Sequence, residues 1–462
     1  MCPKTSFFSL FQPNIVVNCP KSLKCLITYY RCLGFTFTGV VFSDCHQSSL
    51  SKSGENRLKL INRLFLLWHL FFLFNTALFA TSSLVNIWPS SKPDNLINKM
   101  HRSPFNQYGR LMKFSVDQYN FEYAHFKVIL RGSLALIGHL FVGDNLLNYV
   151  LNLLYGQKLL EMMLALPNIR KLDDNSYLGF KLILLPMLFH FAGILFALVT
   201  FARPYLFLLI NWTFGTNDST KFSDKQLEDV GQLLVIIFIW PQYFLLQLKS
   251  TVIYFYLMAV FQQNLLLLSK NIQESSSSSL LDDQKLVRLR GQLRSLAGHL
   301  RKINGLLSAP LAWALISSVH LIVATVCYFV VLNRRNSYHY YSVVLFAHLL
   351  FALLRLVMLS VAGSWPPAAY EQLLLVLYEN IAKRSSGDRR LVDKENNNNN
   401  NNNNNSCSLQ TWIVYQQLRG MEGRFRSRLC WDAGELSQGS LLAVLGFALS
   451  YIIILLQTED SW

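Results

Sequence analysis

Charge is what this sequence has least of. Only 15% of its 462 residues are Asp, Glu, Lys or Arg, while 52% are hydrophobic and the mean hydropathy is +0.28. A water-soluble domain carries roughly 25% charged residues, so an ordinary soluble fold is excluded. Acidic residues are scarcer than basic ones, 26 against 42, for a formal net charge of +16. In a soluble chain that excess would point to nucleic acid. In a chain this apolar, the basic residues serve as cytoplasmic flanks of membrane spans, and no nucleic-acid partner is expected. No cleavable signal is expected either, because the first apolar stretch, 7–17, is broken by Gln12, Pro13 and Asn14. The N-terminus is therefore expected to stay on the protein.

What is present is a set of long apolar blocks. A helix needs about 20 apolar residues to cross roughly 30 Å of hydrocarbon, and seven stretches qualify: 64–88, 128–155, 182–202, 230–258, 306–332, 340–363 and 436–457. The expected fold is an all-α polytopic membrane protein with seven transmembrane helices and helical extensions on the cytoplasmic side. Four segments, namely the N-terminal one and the second-to-third, fourth-to-fifth and sixth-to-seventh connections, hold 27 Lys and Arg. The opposite side holds fewer than half as many. By the positive-inside rule the N-terminus is cytoplasmic and the C-terminus extracellular. The chain then divides into a cytoplasmic segment 1–63, a bundle of six spans 64–362, a cytoplasmic segment 363–435, and a seventh span with a short external tail, 436–462.

Two features agree with this orientation. The sequons at Asn211 and Asn217 fall in the third-to-fourth connection, expected to be external and glycosylated. Cys2, Cys19, Cys25, Cys32, Cys45, Cys407 and Cys430 fall in cytoplasmic segments and Cys327 within a span, so no pair is placed for an external disulfide. The N-terminal cysteine spacings match no zinc pattern, and no metal or cofactor is expected.

The cytoplasmic segments are organised. Asn396 to Asn405 is an uninterrupted Asn tract that reads as a disordered insertion. After the fourth span the uncharged sequence continues to residue 269, so one helix of about 60 Å would run from 230 far past the membrane. Stretches 286–307 and 368–382 carry Leu at helical spacing with basic residues opposite. They would either pack with that projection as a helical base or lie on the inner leaflet.

Ionisable residues inside spans are costly and mark structure or function. Asp144 in the second span and Arg355 in the sixth sit about 22–24 Å from the external side at 1.5 Å per residue, so they are candidates for an ion pair. The alternative is that Arg355 snorkels to the inner headgroups. His190, His320 and His348 lie in different spans without metal-like spacing and read as hydrogen-bonded core residues.

In the last span, Ser450-Tyr451 is followed by five apolar residues, Ile452 to Leu456, and then Gln457-Thr458. Ser450, Ile454, Gln457 and Thr458 are spaced by three and four and share a helix face continued by Phe447. Such a face suits either a pore or a helix–helix contact. The run resembles the seventh-span signature of arthropod gustatory receptors: Thr-Tyr, five apolar residues, then Gln-Phe. Ser450 and Tyr451 stand for Thr-Tyr, Gln457 matches the Gln, and Thr458 replaces the Phe. Tyr29-Tyr30-Arg31-Cys32-Leu33-Gly34 is similar to the basic-aromatic stretch common near that family's N-terminus. The resemblance covers nearly the whole chain in architecture and about the last 25 residues in motif.

That resemblance implies a ligand-gated, non-selective cation channel in the plasma membrane of a sensory neuron. It implies a homo- or hetero-tetramer with related subunits, gated by a small-molecule tastant. Ile454, Gln457, Thr458 and Ser450 would line the pore. The family's ligand pocket lies in the external half of the bundle, where Trp240, Tyr243, His320, Tyr328, Tyr341 and His348 have the aromatic and polar chemistry to hold a ligand. Odorant receptors of the same superfamily, which usually need a co-receptor, are the nearest alternative. A G-protein-coupled receptor would need the opposite orientation, and 201–204 reads Phe-Ala-Arg-Pro, without its Asp/Glu-Arg-Tyr triplet. No repeated halves with midplane breaks suggest a transporter, and no catalytic constellation suggests an enzyme.

Overall fold

The structure, a computed structural model, describes residues 240–278, 283–334, 341–392, 402–426 and 436–460 continuously and isolated positions before 240. Five α-helices carry the described fold: α1 (Trp240–Ser278), α2 (Asp283–Arg334), α3 (Tyr341–Val392), α4 (Asn402–Arg419) and α5 (Gln438–Asp460). A 3-10 turn, Glu422–Phe425, follows α4. Near the N-terminus, β1 (Ile15–Val17) pairs in parallel with β2 (Val40–Phe42), Ile15 opposite Val40. This ladder of β-branched residues and one Phe is a small addition to a fold that is otherwise helical among the described residues.

Length decides how the helices relate to a membrane. At about 1.5 Å per residue, α1 with 39 residues spans roughly 58 Å, and α2 and α3 with 52 each span roughly 78 Å. Each exceeds a hydrocarbon core of about 30 Å, so a large part of every one must lie outside it. Lys249–Glu274, Gln284–Val323 and Leu349–Ala382 are long and apolar enough to cross, and Gly439–Ile454 in α5 is a shorter apolar run. The spans expected at 128–155 and 182–202 fall almost wholly outside the described residues, as do Asp144, Asn211 and Asn217. Within 64–88, Leu64, Leu67, Trp68, Leu70, Phe71 and Phe74 are helical and exposed, with Trp68 stacked on Phe71 at 5.7 Å.

Three expectations change. The base helix 286–307 and the span 306–332 form the single helix α2, which passes through Pro310. Likewise 340–363 and 368–382 are one helix, α3, passing through Pro366 and Pro367. An internal proline removes a backbone bond at a cost of about 3 kcal/mol; here Pro310 and Pro366 are themselves buried, and packing offsets that loss. The third concerns the end of the Asn tract: residues 402–405 form the first turn of α4, and 396–401 lie outside the described residues.

The core follows from sequence period. In α2, Leu286, Leu289, Leu293, Leu296, Leu300, Ile303 and Leu307 alternate in steps of three and four and are all buried, the seam of a heptad. That stripe packs within the protein, as a helical base does, and not on a leaflet. Helix α1 is central: from Lys249 to Phe261 every side chain but Phe255 is buried, because the helix packs against both α2 and α3. Short connections, 279–282 and 335–340, join α1 to α2 and α2 to α3, which makes sequential helices antiparallel neighbours.

Candidate pore face and its supports

Helix α5 starts at a reciprocal cap. The Ser440 backbone N–H donates to Ser437 Oγ at 3.2 Å, and the Ser437 N–H donates to Ser440 Oγ at 2.8 Å. Two N–H groups left without intrahelical partners are thereby satisfied, as in a capping box with Ser in the third position. The cap lies directly against α3. A Cβ added to Gly363 would collide with the carbonyl of Leu436, so the backbones touch because residue 363 has no side chain.

From that point α5 is two-faced. Leu436, Ala448 and Ile452 are buried and Leu441 and Leu445 pack on the same core, facing α2 and α3. On the other face Leu442, Phe447, Ser450, Ile454 and Gln457 are exposed, Ile454 at 56% and Phe447 at 69%. The Ser450 hydroxyl donates to the Gly446 carbonyl at 2.9 Å, leaving its oxygen lone pairs outward. Tyr451 and Thr458 belong to the same helix.

The end of α4 and the 3-10 turn after it are tied to α3. Tyr370 of α3 donates its hydroxyl to the Leu418 carbonyl at 2.6 Å, and its ring stacks on Phe425 at 4.2 Å and 18°. All three residues are fully buried. Tyr370→Phe would leave the Leu418 carbonyl without this donor in a dry site, costing about 1–2 kcal/mol. A lowered thermal midpoint of the purified protein is the expected result, and an unchanged midpoint would contradict the clamp.

Further along the bundle, Arg355 is 1% exposed. Its Nε donates to Thr251 Oγ1 on α1 at 3.4 Å and its Nη1 to Ser317 Oγ on α2 at 3.1 Å. A cation from α3 thus joins three helices at one level. Snorkelling to the headgroups is replaced by interior hydrogen bonding. Neither hydroxyl partner, nor the Tyr370 clamp, nor the Gly363 contact was anticipated from sequence. The available signal for the first was a pair of adjacent hydroxyl residues in each neighbouring helix, Ser250-Thr251 and Ser317-Ser318.

Of the expected ligand-contacting residues, Trp240 and Tyr243 lie at the start of α1, Tyr328 near the end of α2, and Tyr341 and His348 at the start of α3. Antiparallel packing brings these three helix ends to one end of the bundle. His320 is half-buried and lies eight residues further into α2 than Tyr328, about 12 Å along the axis.

This arrangement of long helices recurs in a solved receptor. Over 95% of this chain and 98% of the other, it superposes on the insect olfactory receptor OR5 from Machilis hrabei with a TM-score of 0.57 and 10% sequence identity. The same receptor in complex with eugenol aligns over 83% of this chain and 98% of its own, with a TM-score of 0.51 and 13% identity. The chain has the fold of an insect olfactory receptor. At such identity the likeness is one of fold. No family model and no curated protein matches the sequence.

Proposed function

We propose that this protein is a chemoreceptor of the insect superfamily, a seven-span ligand-gated, non-selective cation channel in the plasma membrane, nearest to the gustatory receptors. The observation that carries the proposal is the two-faced last helix. One side is seated on α2 and α3, and the other presents Ser450, Ile454 and Gln457 away from the subunit. Four subunits around an axis would bring these faces together. A ring of Ile454 closes the path by dewetting, while Gln457 amide oxygens and Ser450 lone pairs replace part of a cation's water shell when it opens. Thr458 extends the ring outward with a small polar side chain. Glu459 and Asp460, repeated around the mouth, concentrate cations.

In this reading the N-terminus and the segments 1–63 and 363–435 are cytoplasmic, and the bundle 64–362 holds the ligand. A small tastant would bind at the external end among Trp240, Tyr243, Tyr328, Tyr341 and His348, with His320 deeper. Aromatic faces and a few polar groups suit a compact organic molecule; the similar solved receptor is seen with eugenol. Glycans on Asn211 and Asn217 would mark the external side. The Tyr451 to Gln457 signature favours the gustatory class. An odorant-type subunit that needs a co-receptor is the second reading, supported by the fold shared with an olfactory receptor.

The test is whole-cell recording from cells expressing the chain alone, screened with sugars, bitter compounds and amino acids. Ile454→Ala is expected to raise the unliganded current, because a wider and less apolar ring stays wet, and Gln457→Ala to shift relative permeability among monovalent cations. Ligand-evoked currents unaltered by both substitutions would remove the pore from this helix.

A further inference from the structure

Phe447 contributes little packing to its own subunit. It is 69% exposed, in a helix whose other exposed large apolar side chains, Leu442, Leu449, Ile453 and Ile454, are all aliphatic. Helix geometry separates these residues. At about 100° per residue, the side of α5 seated on the core, formed by Leu441, Leu445, Ala448 and Ile452, lies opposite Ala443, Ser450 and Gln457. Phe447 and Ile454 fall within roughly 50° of that outward line, whereas Leu442, Leu449 and Ile453 fall roughly 70–110° from it on the other flank. Phe447 therefore shares the face assigned to the pore, and the three aliphatic residues do not.

Phe447 also stands at its own level. Seven residues separate it from Ile454, so its ring lies about 10 Å along the axis toward the Gln438 end of the helix. Ser450 is placed between the two. The chemistry at these levels differs. Gln457 and Ser450 offer oxygen atoms, which suit a small cation that has shed part of its water. A quaternary ammonium has no N–H to donate and a charge wrapped in alkyl groups, so those oxygens hold it poorly, while the face of an aromatic ring attracts it directly. No carboxylate competes for it along this stretch, because residues 438–458 contain no Asp or Glu.

We propose that four Phe447 rings, one from each subunit, form a binding site for quaternary ammonium compounds entering the pore from the cytoplasm. The inference rests on the pore reading of α5 and adds to it a second, aromatic constriction and the class of molecule that it holds. A bulky cation arriving from inside meets the four rings first, and Ile454 closes the next level outward.

The test uses inside-out patches from cells expressing the full chain with Ile454→Ala, whose expected unliganded current requires no known tastant. Tetrapentylammonium on the cytoplasmic side is expected to block that current, more strongly at positive cytoplasmic potentials, which drive it into the pore. Adding Phe447→Leu, which keeps an apolar side chain at an exposed position, is expected to weaken the block about tenfold, and Phe447→Tyr to keep it within about twofold. Leu449→Ala, on the other flank, should leave it unchanged. No block, block that Phe447→Leu leaves unaltered, or block that Leu449→Ala weakens as much would overturn the proposal and leave the pore in place. Loss of the current itself in Phe447→Leu or Phe447→Tyr would overturn it too, since the ring would then be needed between subunits and not in the path. Absence of any current from Ile454→Ala with the protein at the surface would instead remove the pore reading, and this inference with it.

Discussion

Gly363→Val is expected to remove folded protein from the cell surface. The Leu436 carbonyl occupies the space that any side chain at 363 would need. The neighbour that must give way is main chain and not a flexible side-chain tip. It is held by the Ser437–Ser440 cap on one side and by the buried Leu436 side chain on the other. Overpacking a tight site costs about 3 kcal/mol, a large share of a domain stability of roughly 5–15 kcal/mol. Fluorescence-detected size-exclusion of a tagged variant should show loss of the native peak. Gly446→Val, at an exposed position with no atom within 4 Å of its Cβ, should keep it. Equal yields from the two variants would contradict the close approach.

The second large effect concerns the buried cation. Arg355 holds Thr251 and Ser317 from a position that is 1% exposed. We propose that Asp144, which lies outside the described residues, balances its charge, since counting residues from the expected external span ends puts the two at similar depth. Breaking a buried pair from one side costs about 3–5 kcal/mol, because the remaining charge stays in a dry site. Asp144→Asn and Arg355→Gln should therefore each reduce surface expression several-fold, and the exchange Asp144→Arg with Arg355→Asp should recover part of it. Single losses without recovery would remove Asp144 as the partner while leaving the hydroxyl contacts of Arg355 intact. The Arg355 guanidinium also explains why a chain with so few charges keeps one here: it ties α1, α2 and α3 at one height, with five donors that no neutral side chain offers in that geometry.

How far the sequence reveals this architecture depends on the range of the interaction. The leucine steps from 286 to 307 are local, so their burial follows from helical period alone. The same is true of the two faces of α5, because Ser450, Ile454 and Gln457 share a side wherever that helix packs. The extension of α1 beyond a membrane thickness is visible in the uncharged run to residue 269, and the structure carries it to Ser278. Continuity through Pro310 and Pro366-Pro367 is not legible, because the local rule for proline ends a helix and only tertiary burial overrules it. Through-space contacts are hidden for a related reason. Tyr370 and Leu418 are 48 positions apart and Arg355 and Thr251 104 apart, and nothing in either local sequence names its partner. Gly363 looks like an ordinary small residue in an apolar helix until Leu436 is placed against it.

The account's central claim, that the outward face of α5 lines a cation path, is tested most directly by cysteine substitution along that helix. Ser450→Cys, Ile454→Cys and Gln457→Cys would be exposed in turn to a charged methanethiosulfonate reagent from outside during ligand-evoked current. Ala448→Cys and Ile452→Cys, on the buried face, serve as the contrast. The account predicts block or strong reduction of current at 450, 454 and 457, slowing with depth toward 450, and no effect at 448 and 452. Modification of 448 and 452 with 450, 454 and 457 left untouched would contradict it and place the conducting path on the other side of the helix.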